Sequence, residues 1–62
     1  MHIQMGKNYE AMVTLGTMTR QTKVKVTVTE IAFGRESFKC TIHKTGQSYW
    51  VHEVNFIKEI TK

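Results

Sequence analysis

The chain has 62 residues, nine Lys and Arg against five acids for a net charge of +4, no Pro, and one cysteine, Cys40. A chain of this length buries only about 60% of its unfolded surface, which suits a single domain with one thin core and leaves little room for the shell a catalytic site needs. One cysteine excludes an internal disulfide framework. The lack of any long apolar run or secretory leader predicts a protein of a reducing, cytoplasmic compartment with no membrane role.

In chain order, Tyr9 to Thr19 is rich in Val, Thr, Leu and Met, with Tyr9, Ala11, Val13 and Leu15 alternating; it is expected as a strand that bends at Gly16. Thr19 to Thr22 reads as a polar loop. Lys23 to Thr29 then alternates strictly, Val24, Val26 and Val28 on one face and Lys23, Lys25, Thr27 and Thr29 on the other. β-branched residues at period 2 describe a half-buried antiparallel strand.

Phe33 to Ser37 reads as a turn, followed by a strand in which Phe38, Cys40 and Ile42 alternate with Lys39, Thr41 and His43. The next turn centres on Gly46, Gln47 to Val54 forms a fourth strand, and Asn55 to Ile60 closes the chain. Met1, Met5, Met12 and Met18 are expected to pack around the N-terminal side.

The facing of Trp50 depends on the turn at Gly46. A two-residue or four-residue loop turns Trp50 outward with Lys39 and Thr41, whereas a three-residue loop turns Tyr49 outward instead, because one residue of register flips every side chain. Tyr49 and Val51 with Phe38, Cys40 and Ile42 make a consistent apolar face, so Trp50 is expected outward.

Five short strands with tight turns must cover one apolar face, and a partly open five-stranded barrel does so. The alternative is a flat meander completed by a second copy, a homodimer. The element order, and the stretch "YWVHEVNFIKEI" in particular, resembles the SH3-like small barrels, in which an aromatic-aliphatic strand passes through a 3₁₀ turn into the last strand. The resemblance implies an all-β SH3-like fold with a 3₁₀ turn around Asn55-Phe56-Ile57. The acidic-aromatic signature of peptide-binding SH3 domains is missing, which points to the Tudor, KOW and chromatin-protein branches and to nucleic acid or protein tails as partners.

Function is expected to be non-enzymatic binding. The leading expectation is nucleic-acid binding, DNA or RNA, by a basic protein through Lys23, Lys25, Arg35, Lys39 and Trp50, cations meeting phosphates and the aromatic meeting bases. The alternative is protein-protein interaction through Trp50 and an exposed edge strand. Cys40, His43 and His52 fall short of a zinc ligand set. Neither a metal, a cofactor nor a nucleophile-base pair is expected, since Cys40 reads as inward and both histidines as outward.

Overall fold

The computed structural model describes residues 2–14 and 20–60. Its elements are β1 (Asn8–Thr14), β2 (Gln21–Ile31), β3 (Ser37–Ile42), β4 (Ser48–His52), a 3₁₀ turn η1 (Glu53–Asn55) and β5 (Phe56–Glu59). The bend expected at Gly16 and the residues Leu15, Met18 and Met1 lie outside the described residues. All five strands join one antiparallel sheet in the order β4-β3-β2-β1-β5.

Three segments differ from the expected boundaries, one of them the fourth strand, which runs only from Ser48 to His52 and gives Glu53 and Val54 to the 3₁₀ turn. Gln21 and Thr22 open β2 instead of forming a loop, because they pair with Thr14 and Val13 of β1. The 3₁₀ turn ends at Asn55, and Phe56 opens β5. Phe56 pairs with Ala11 and is buried, so its contribution is to the ladder and the core.

The core follows the alternation. Tyr9, Ala11 and Val13 from β1, Val26 and Val28 from β2, Phe38, Cys40 and Ile42 from β3, and Val51 and Phe56 are buried together, with Val24, Ile31 and Tyr49 partly buried against them. Phe56 is the aromatic centre: Tyr9 and Phe38 each meet it edge-on with ring centroids 5.5 Å apart. Such pairs add about 0.5–1.5 kcal/mol beyond the area they bury.

Ile3 is also buried. Its segment is tied down by Gln4 N–H donating to Tyr9 Oη at 2.8 Å and by Gly6 N–H donating to the Val28 carbonyl at 2.8 Å. Met5 is exposed, however, and Met12 sits on the outer face opposite Lys23, so neither packs as the sequence suggests.

The sheet bends but is not closed into a barrel. Register shifts at Glu10/Ala11 in the β1–β5 pair and between Val28 and Glu30 in the β2–β3 pair mark the bends. β4 and β1 approach without a ladder, which leaves β4 and β5 as the two edges. Beside this gap β2 is bonded to η1, Gln21 Nε2 donating to Asn55 Oδ1 at 3.4 Å.

Candidate nucleic-acid interface

Pairing register sets what the outer face presents. Ile42 N–H donates to the Gln47 carbonyl at 2.8 Å and Gly46 N–H to the Ile42 carbonyl at 2.7 Å, so the β3–β4 connection is the four-residue loop His43 to Gly46. Gly46 takes φ +77, a conformation that costs a residue with a Cβ about 1–2 kcal/mol. This register places Trp50 opposite Lys39, Tyr49 opposite Cys40, and Val51 opposite Phe38. Trp50 is 55% exposed and Tyr49 is partly buried. The outward expectation for Trp50 therefore holds, through the longest of the three loops.

Three outer rows cross the sheet. Trp50, Lys39 and Glu30 form one, and Ser48, Thr41, Thr27 and Asn8 the next. The third carries Lys25, Glu10 and Lys58, with His43 beside Lys25 through a 3.0 Å bond from His43 N–H to the Lys25 carbonyl. Lys23 follows on the same face, opposite Met12. Lys23, Lys25, Lys39 and Trp50 thus share the outer surface, with Glu30 and Glu10 interleaved.

Arg35 is placed differently. It follows a turn in which Arg35 N–H donates to the Ala32 carbonyl at 2.9 Å, and Gly34 (φ +91) and Arg35 itself (φ +59) both lie in the left-handed region. Its guanidinium Nη2 donates to the Ile3 carbonyl at 2.7 Å. That bond ties the β2–β3 turn to the N-terminal segment, so Arg35 is engaged away from the Lys39–Trp50 pair.

The sequence reading did not group His43 and Lys44 with the basic site, yet they line one cleft with Lys23, Val24 and Lys25. The β2–β3 register sets His43 beside Lys25, one step beyond the Val26–Ile42 pair, and no residue pattern in the sequence marks that register. A second cleft of about 230 Å³ lies in the gap between β4 and β1, lined by Tyr49, Trp50, Met12, Gln21 and Asn55 among others.

Cys40 is buried, its thiol directed at the Phe38 carbonyl 3.5 Å away, and burial pushes its pKa up to about 11. His43 and His52 are exposed; His52 caps η1, its Nδ1 accepting from Val54 N–H at 3.2 Å. Among the described residues no three His, Cys, Asp or Glu side chains gather at metal-binding distance. No described helix is long and apolar enough to cross a membrane.

Comparison with protein-family models, with curated proteins and with solved structures finds no match for this chain.

Proposed function

We propose that the chain is a non-enzymatic SH3-like binding module that associates with nucleic acid across its outer sheet face. The observation that carries this reading is the direct cross-strand pair of Lys39 and exposed Trp50, with Lys25 and Lys23 on the same surface. Lysines neutralise phosphates with little sequence preference, and an exposed indole stacks on any base. The strand order and the 3₁₀ turn before the last strand support the SH3-like assignment. A buried free thiol is compatible with a reducing, cytoplasmic setting.

In this reading Lys23, Lys25, Lys39 and Trp50 contact the ligand, while Arg35 holds the β2–β3 turn against Ile3. A gel-retardation assay at low salt with an arbitrary single strand and an arbitrary duplex tests it. Retardation of at least one, weakened by Lys39→Gln and by Trp50→Ala, is the expected result; no retardation of either overturns the reading.

One observation favours a second reading. β4 is a free edge carrying Trp50, and η1 beyond it exposes Val54 at 77%. An extended segment of a protein partner, or a second copy, added to that edge would bury both. Light scattering across a concentration series reports a second copy directly, and unchanged monomer mass removes the homodimer form of this reading.

A further inference from the structure

β2 runs beyond the end of β3. Pairing between them starts at Val26 and Ile42, so the β3-facing edge of β2 before Lys25 has no ladder partner among the described residues. His43 N–H donates to the Lys25 carbonyl, which fixes the Lys25 main chain toward β3. Main-chain direction repeats every second residue in a strand, so Lys23 N–H and C=O point to the same open side. A cleft of about 350 Å³ opens at this edge, lined by Lys23, Val24, Lys25, His43 and Lys44.

The lining combines three kinds of group. Three lysines, Lys23, Lys25 and Lys44, line the cleft, and with Val24 their stems make its walls mainly apolar. The third is His43, which is held in place although it is exposed. Thr27 Oγ lies 2.6 Å from His43 Nε2 and donates its own hydrogen to Asn8 Oδ1 at 2.6 Å. A hydroxyl has a single hydrogen, so the ring must donate to Thr27 from Nε2–H, and neutral His43 keeps Nδ1 as an acceptor. An oriented acceptor, a main-chain donor and acceptor with no partner among the described residues, an apolar wall and a cationic rim match the parts of a nucleotide.

We infer that this cleft takes one nucleotide unit of a bound strand. The phosphate sits on the ammonium groups of Lys23, Lys25 and Lys44, the base lies against the Val24 wall, and the base edge meets His43 Nδ1 and the Lys23 main chain. The volume is within the range of small-ligand sites, about 300–1,000 Å³. The inference rests on the nucleic-acid reading above and gives it a position, moving the centre of binding toward the β3–β4 turn.

Titrating isotope-labelled protein with adenosine 5′-monophosphate, adenosine and inorganic phosphate, followed by amide shifts, tests it. The expected result is saturable movement of the Lys23, Val24, His43 and Lys44 amides with the monophosphate, at least about tenfold tighter than with either fragment. Thr27→Val, which frees the His43 ring, should weaken the monophosphate and leave inorganic phosphate unchanged. Equal response to monophosphate and phosphate, or shifts confined to other residues, overturns the nucleotide cleft. If an oligonucleotide is retarded in a gel while the cleft amides stay still, the cleft fails and the nucleic-acid reading stands. Silence in both assays at low salt overturns both.

Discussion

Trp50 and Cys40 are neighbours across the β3–β4 ladder, one residue apart in register, and they face opposite environments. Trp50 has 55% of its surface in water, so it contributes little to the fold. Trp50→Ala should leave the thermal midpoint nearly unchanged, since exposed substitutions stay within about 0.5 kcal/mol. The same change should weaken oligonucleotide binding about tenfold, the loss of roughly one stacked base. A large drop in stability with unchanged binding would return Trp50 to the core.

Cys40 behaves inversely. Its thiol is raised from an ordinary value of 9.0 to about 11 by burial, so the folded state holds its proton longer than the unfolded chain does. Stability from this group is complete below pH 9 and is lost as pH rises from about 9 toward about 11, because there the unfolded state releases a proton that the folded state keeps. Thiol reagents at pH 8 should therefore modify Cys40 only after denaturant unfolds the chain; rapid modification of native protein would contradict the burial. Both placements were legible in the sequence, since Phe38, Cys40 and Ile42 make one apolar face that Trp50 does not share.

At the scale of elements, the turns and bulges decide what the alternation cannot. The Val24, Val26 and Val28 pattern needs no tertiary information, which is why β2 is evident from its residues alone. It stops being predictive at Thr29, where the register shift lets Ile31 and Phe38 pair. A bulge inserts one residue without any residue type that marks it, so the parity change was invisible. Ile3 was missed for a related reason: one apolar residue among polar neighbours has no period, and its segment is held down by long-range bonds to Tyr9 Oη, the Val28 carbonyl and Arg35.

Gly46→Ala tests the four-residue turn. Nothing lies within 4 Å of the added Cβ, so the cost is backbone conformation alone, about 1–2 kcal/mol by denaturant melt, and Gly46→Asn should cost less. Equal tolerance of both would mean that the turn does not need its left-handed residue. Arg35→Ala should speed hydrogen exchange of the amides near Ile3 while leaving oligonucleotide affinity within about twofold. Loss of affinity comparable to that of Lys39→Gln would instead place Arg35 on the phosphates.

Across the whole molecule, charge is unevenly placed. Lys23, Lys25, His43 and Lys44 gather where β2 overhangs β3, whereas Glu30, Glu36 and Glu53 lie toward the β2–β3 turn, where Glu53 N–H donates to the Glu36 carbonyl at 2.8 Å. The excess of cations was readable from composition; their clustering was not, because it depends on where β3 ends. An uneven positive field draws a polyanion to one end of a small protein and gives association a strong dependence on ionic strength. The number of phosphates engaged is then measurable without a structure of the complex.

The salt dependence of affinity for an arbitrary single-stranded oligonucleotide is the most direct measurement of this account. With Lys23, Lys25, Lys39 and Lys44 each neutralising a phosphate, the slope of log K against log salt should be about −3, at roughly −0.7 per contact. Lys23→Gln with Lys25→Gln should reduce its magnitude by about 1.4 on the same scale. A slope near zero, or one that the double substitution leaves unchanged, would contradict binding through this face.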